Sequence, residues 1–369
     1  MIIPELPSYL TSIGGEDYKG LIISLFTLTA GISRPFSGKL ADTIGRIPVM
    51  VFGSVVCVVC AVLYPFFGTI WGFFMLRLIH GFSTGFQPTG TSAYIADLVP
   101  FHRRGEAMGL VGLFVSLGFA VGPAVGAYIA SLISVEVMFY TSSASALLSV
   151  LVLVGMKETL ASSQRFAASH LKIDQQDIYE PRVFSPALVM MLTGFSFGTI
   201  LTIIPDFSDF LKIPNRGVFF SAFTLASISV LVFAGKASDR FGRVNVLRVA
   251  TITLAIAMYL IGVAQSFYSF IGAAILFGLA SGISSPTVFA WTIDLSSEQR
   301  RGRGVATMFI ALEIGIGCGA LSSGWLYSNE SGMFAPTFWL AGCLAFTAFL
   351  YLVFGKSGGS SQTPSRQVT

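Results

Sequence analysis

Glu5, Arg34, Arg77, Asp206 and Glu313 are ionisable residues that stand inside apolar runs of this chain. An ionisable group in hydrocarbon is costly unless paired or wet, so each marks a place where chemistry is expected. The chemistry such a set supports is proton switching. A carboxylate beside an arginine stays ionised while the pair is intact and accepts a proton when the pair parts. Glu5 and Arg77 fall at similar depth, so one reading pairs them; the other has Glu5 reaching external water. Asp206 lies in IIPD, matching the IIPE around Glu5, and carries the same two readings. Arg34 lies about 12 Å along its helix from Asp42, and Glu313 about 16 Å from the start of its own, at ~1.5 Å per residue. These two either pair across the molecule or stand apart, bridged by water. His80, one turn from Arg77, is expected to be a packed neutral histidine.

The elements that must hold these groups are membrane helices. Hydrophobic residues make up 54% of the 369 positions and charged residues only 11%, against about 25% charge in soluble domains; mean hydropathy is +0.78. Apolar runs long enough to cross ~30 Å of hydrocarbon fall at about 19–41, 47–66, 70–95, 104–130, 135–156, 187–210, 217–236, 244–265, 267–292, 302–327 and 334–354, with a stub at 1–14. Strand alternation is absent, so the fold class is an all-α membrane protein and not a barrel.

The net charge of +4 follows topology. Of 22 Lys and Arg, 17 occupy alternate connections and the tail, including Lys39, Arg46, Arg104, Lys157, Arg243 and Arg301. The positive-inside rule therefore makes those connections and the C-terminus cytoplasmic, in a cell membrane. No nucleic-acid partner is needed to explain the charge. Cys57 and Cys60 have CxxC spacing but lie among valines in mid-helix, where cysteine packs as a small apolar residue. Neither a metal nor a cofactor is expected. No G-x4-G-K-[ST] phosphate loop occurs, since Gly355-Lys356-Ser357 has Leu350 where the first glycine belongs. An ATP-driven pump or an enzyme is therefore disfavoured.

The chain repeats itself at an offset of 197 residues. Gly38, Asp42, Gly45 and Arg46 align with Gly235, Asp239, Gly242 and Arg243; Asp97, Arg104, Gly118 and Gly122 align with Asp294, Arg301, Gly315 and Gly319. Such self-similarity is a duplication, and six spans per repeat give both halves one orientation, related by an axis along the membrane normal. The expected organisation is an N-terminal bundle at 1–156, a cytoplasmic linker at 157–184, a C-terminal bundle at 185–355 and a disordered tail at 356–369. IIPELPSYL at 2–10 matches IIPDFSDFL at 203–211. About sixteen helical residues precede Ile203 but only Met1 precedes Ile2, so the first helix is expected to be incomplete. A secretory signal pattern is absent.

GKLADTIGR at 38–46 and GKASDRFGR at 235–243 resemble the two copies of the loop between the second and third helices of the major facilitator superfamily, with Thr43 and Ile47 departing from the usual basic residues. Gly38 and Gly235 are expected to let helices approach closely, and Gly45 and Gly242 to permit a tight turn. The resemblance implies that Asp97 pairs with Arg46, and Asp294 with Arg243, as latches of the outward-facing state, with Asp42, Asp239, Arg104 and Arg301 in the same gating set. RLIHGFSTG at 77–85 resembles the superfamily's fourth-helix motif. GFAVGPAVG at 118–126, with Gly118, Gly122, Pro123 and Gly126, resembles the fifth-helix packing motif of the twelve-helix drug:proton antiporter branch.

The resemblance implies two six-helix bundles, a cavity lined by the first, fourth, seventh and tenth helices, and no enzymatic activity. The leading expectation is proton-coupled efflux of small amphipathic compounds by a monomer, with Phe82, Phe86, Gln87, Phe195 and Trp291 as substrate-cavity candidates. A proton-coupled sugar or metabolite transporter is the alternative. A non-transporting membrane sensor would be expected to append a signalling domain, and none is seen.

Overall fold

The structure is a computed structural model that describes residues 1–99, 104–160, 163–173, 179–296 and 301–355, the side chains of 96, 104–109, 232, 236 and 301–303 excepted. The expected tail at 356–369 lies outside the described residues, as do 161–162 and 174–178 of the linker. Twelve α-helices follow one another: α1 (Leu6–Ser12), α2 (Lys19–Thr43), α3 (Arg46–Leu63), α4 (Ile70–Leu98), α5 (Arg104–Leu132), α6 (Val135–Val154), α7 (Phe184–Phe210), α8 (Val218–Phe241), α9 (Arg243–Gly262), α10 (Phe267–Leu295), α11 (Arg301–Tyr327) and α12 (Phe334–Phe354). Nine helices among the described residues are long and apolar enough to cross a membrane, or ten with α8, which bends by 50°. Eleven full spans were expected. The difference is α4, which has 29 residues but carries Arg77, His80 and Gln87.

The duplication in sequence reappears in packing. Within the first half α4 packs on α2 and α3, and α3 on α6; within the second, α10 packs on α8 and α9, and α9 on α12. Across the molecule, α2 lies along α11 and α5 along α8, again a symmetric pair of seams. Local signals repeat too. Thr69 accepts from the Gly72 amide at 3.2 Å to cap α4, and its repeat mate Ser266 caps α10 through the Ser269 amide at 3.3 Å. Gly45 and Gly242, at φ of +128° and +86°, turn the chain into α3 and α9, a backbone conformation open to glycine and strained for other residues.

Two faces can be distinguished by the connections they carry. The linker face holds the 42–46 and 239–243 turns and the 157–184 connection; the far face holds the α1–α2, α7–α8 and α11–α12 connections. Trp71, Tyr268 and Trp325, each more than four-fifths exposed, sit at far-face helix ends, as expected of aromatic rings at a membrane–water interface.

The glycines show how the seams close. At the far face a Cβ on Gly324 would stand 2.4 Å from the Gly20 nitrogen, and one on Gly217 would stand 2.6 Å from the Ala124 backbone. Helices without side chains at these points can bring their backbones together, which is the main attraction available where lipid is as apolar as the core. Gly38 and Gly235, expected at close helix approaches, instead face open space. They lie at the linker ends of α2 and α8, where a Cβ would meet nothing within 4 Å among the described residues.

Candidate functional site

Apart from Arg77, the charges singled out inside the spans pair from one half to the other. Arg34, in the middle of α2, donates from Nη2 to Oε1 of Glu313 on α11 at 2.9 Å; both side chains are at least nine-tenths buried. The Arg34 guanidinium also lies over the Phe309 ring at 4.5 Å, and its Nε has no hydrogen-bond partner among the described residues. Of the two readings open for these residues, the structure shows the direct pair. Gly31, one turn from Arg34, faces the Glu313 side chain at 3.4 Å and leaves room for it.

Glu5 does not meet Arg77, and that expectation is corrected. Arg216, just before α8, donates to Glu5 Oε2 at 2.7 Å and to Ser8 Oγ at 2.6 Å, while a two-pronged contact holds it to Asp209 at 2.7 and 2.8 Å. Asp206 accepts from Lys19 Nζ at 2.6 Å. Depth along the helices placed Glu5 and Arg77 together, but azimuth separates them. Arg77, 2% exposed, turns into its own half, where Nε donates to the Ile22 carbonyl at 2.7 Å and Nη1 to the Tyr64 hydroxyl at 3.2 Å. The Phe26 ring lies 4.5 Å from the guanidinium. Tyr64 Oη is 3.2 Å from His80 Nδ1, so His80 is buried in a polar cluster and not in a lone apolar pocket.

On the linker face, Arg46 bonds Asp97 at 3.0 Å, Asp42 at 2.7 Å and the Ala41 carbonyl. Arg243 bonds Asp294 at 2.9 Å and Asp239 at 2.5 Å. Each network lies wholly within one half, tying the end of its second helix to its third and fourth. Both are formed in a structure whose far-face seams are closed at Gly20–Gly324 and Gly217–Ala124. The side chains of Arg104 and Arg301 lie outside the described residues.

The fifth-helix motif divides. Gly118 faces open space, Gly122 and Gly126 face Met1, and Pro123–Ala124 receives Gly217 of the opposite half. There Ser221 Oγ donates to the Ala120 carbonyl at 2.5 Å and Asn215 Nδ2 to the Ala124 carbonyl at 3.4 Å. The substrate-cavity candidates are not brought together as one set. Phe86 packs with Phe52 and Phe82 beside Leu40, Ala41 and Val49; Gln87 approaches Thr91 on its own helix at 3.4 Å. Trp291 sits among Val189, Leu247 and Met308, and Phe195 belongs to the main core. Aromatic residues fill packing positions as readily as cavities, and residue type alone does not separate the two.

Three groups matter more than sequence reasoning allowed. Lys19 and Arg216 carry no role in the sequence reading, yet their repeat spacing of 197 is a usable signal. Glu158, in the linker, accepts from the backbone amides of Arg46, Ile47, Thr159 and Leu160 at 2.9–3.0 Å. Burial pushes its carboxyl up, but these four donors outweigh that and hold it below the usual glutamate range.

This arrangement of repeated bundles has known counterparts. The model of the Major Facilitator Superfamily matches residues 1–219 and again 186–368. Multidrug resistance protein 2 of Bacillus subtilis is 26% identical over 314 residues, covering 81% of this chain and 78% of that protein. The multi-drug resistance efflux pump PmrA of Streptococcus pneumoniae is 26% identical over 370 residues, covering 96% and 91%. Among solved structures, a D-xylose-proton symporter superposes with a TM-score of 0.78 at 17% identity, over 98% of this chain and 95% of that one. The human organic anion transporter MFSD10 gives 0.69 at 21%, over 94% and 88%. At those identities the structures speak to the fold alone. With the doubled loop motifs, the paired seams and a family match over both halves, this chain belongs to the Major Facilitator Superfamily and is a multi-pass membrane transporter, not an enzyme.

Proposed function

We propose that the protein exports small amphipathic cations in exchange for protons, by alternating access, with the linker face cytoplasmic. The observation that carries this reading is the Arg34–Glu313 pair, buried at mid-depth between the halves. One-sided loss of a buried ion pair leaves an uncompensated charge. A proton on Glu313, or a cationic substrate group beside it, therefore frees Arg34, and the two ligands become mutually exclusive. The unused Nε of Arg34 supports a site whose partners change during the cycle. Gly38 and Gly235, unpacked on the linker face while Gly20 and Gly217 are packed on the far face, supply the small surfaces that a closure of the linker face requires. The names of the Bacillus and Streptococcus relatives favour drug efflux over the sugar alternative. The excess of Lys and Arg on the linker face favours its cytoplasmic placement.

The test is transport in inverted vesicles with a pH-sensitive dye. Adding a fluorescent lipophilic cation should release protons from the vesicle lumen, and Glu313→Gln should abolish gradient-driven accumulation while sparing downhill movement. Normal pH-driven accumulation by Glu313→Gln would remove Glu313 from coupling. Labelled sugar uptake without cation-induced proton release would replace export by symport.

A further inference from the structure

The far-face ion pairs have a symmetry that neither pair shows alone. Lys19 and Arg216 are repeat mates at the offset of 197, and Glu5 and Asp206 are mates within the matching IIP-acid segments. The structure joins Lys19 to Asp206 at 2.6 Å and Arg216 to Glu5 at 2.7 Å. Each half thus gives one cation and one carboxylate, and each pair crosses to the other half. Both pairs lie in the layer where Gly20 meets Gly324 and Gly217 meets Ala124, so the halves cannot part there without breaking both.

We propose that these four residues form a two-fold crossed clasp over the far end of the interface, which protons from that face release by neutralising Glu5 and Asp206. It rests on the alternating-access reading above. Lys19 and Glu5 are buried, so a parted pair leaves an ion without solvent, whereas protonation removes the carboxylate charge before the halves separate. Protons have a route to the Glu5 arm: a cleft of about 360 Å³ is lined by Glu5, Asp209, Lys212 and Arg216. The other charged or titratable groups facing the clasp are Asp209, on Arg216, Lys212 in the cleft, and Tyr327, whose ring lies 5.8 Å from Lys19 Nζ; Glu16 lies near Tyr327. The two arms are unequal. When Glu5 is neutral, Arg216 keeps Asp209; when Asp206 is neutral, Lys19 keeps no carboxylate among the described residues. Asp206 is therefore the controlling arm.

Spin labels at exposed Ser12 and Ser331, one on each half of the far face, would read the clasp in lipid nanodiscs once the four native cysteines are replaced. At pH 8 the distance distribution should show one short population, and at pH 5 a second, longer one. Asp206→Asn should show the longer population already at pH 8, Glu5→Gln less of it, and Lys19→Asp with Asp206→Lys should restore the short one. Distances indifferent to pH would overturn the clasp even if the variants fail to fold, because that arm needs none of them. A protein that exchanges cations for protons with pH-independent distances loses the clasp alone. One whose distances respond to pH, but which moves no cation, keeps the clasp and loses the export reading.

Discussion

Helices α5 and α11 occupy equivalent places in the two halves and carry the same glycine spacing, yet they are used differently. A Cβ on Gly315 or Gly319 of α11 would lie 2.2 Å from the carbonyl oxygens of Met191 and Phe195, so α11 lies backbone to backbone along α7. Their mates on α5 meet no helix: Gly118 faces open space and Gly122 only Met1. Phe119 is 36% exposed where its mate Ile316 is 8% exposed. The cause is the partner. α7 has 27 residues and α1 has seven, so the surface that α7 offers α11 has no described equivalent for α5. A small-residue motif is thus permission for close packing, and it stabilises only where a second helix takes it up. The same pair of helices differs in charge, since α11 carries Glu313 where α5 carries Ser116.

The largest test of this difference is at the charge. Glu313→Ala should destabilise by about 3–5 kcal/mol, because Arg34 would stay buried without its partner. Ser116→Ala should change stability by no more than about 0.5 kcal/mol. Replacing both members, Arg34→Met with Glu313→Leu, should recover most of the loss while abolishing gradient-driven transport. Thermal unfolding in detergent would measure all three, and equal effects at 116 and 313 would mean that the seams are not functionally distinct.

The glycines give a smaller effect with opposite signs. Gly315→Ala forces a methyl into the Met191 carbonyl and should cost about 1–3 kcal/mol through overpacking. Gly118→Ala meets nothing and should stabilise by about 0.5–1 kcal/mol through helix propensity. Unfolding midpoints that fall together would show that α5 has a close partner after all.

How much of this was legible in the sequence follows from what each signal measures. Hydropathy marked the helices because membrane burial acts on every residue of a span, and one offset located the duplication because glycines and charges at turns are hard to replace. Depth could be counted along each helix, which brought Arg34 and Glu313 to one level. Depth gave Glu5 and Arg77 the same level too, and there it misled, because the direction in which a side chain leaves its helix is set by the packing of neighbouring helices. The places of Phe82, Phe86, Phe195 and Trp291 were out of reach for a related reason: an aromatic residue has no sequence mark that separates a cavity wall from a core. The crossed partners Lys19 and Arg216 were within reach, since the offset of 197 that aligns the loop motifs also aligns them, while the IIP-acid segments align Glu5 with Asp206 at 201.

The smallest predicted effect separates the two motif loops. α3 begins at Gly45 with the Glu158 carboxylate on the Arg46 and Ile47 amides, whereas α9, beginning at Gly242, has no side-chain cap among the described residues. An anion at a helix N-terminus satisfies free amides and complements the helix dipole. Glu158 is exposed, so solvent screening keeps its contribution at about 0.5–1 kcal/mol. Its folded-state pKa is depressed below the value of about 4.3 for a free glutamate. The stabilisation is therefore fully present above that free value and is lost as pH falls through the folded one. The unfolding free energy of the parent minus that of Glu158→Gln should be constant from pH 8 to about pH 5 and then shrink on acidification. A difference that grows toward low pH would mean that the carboxylate is held in its protonated form, and that the linker does not cap the first motif loop as an anion.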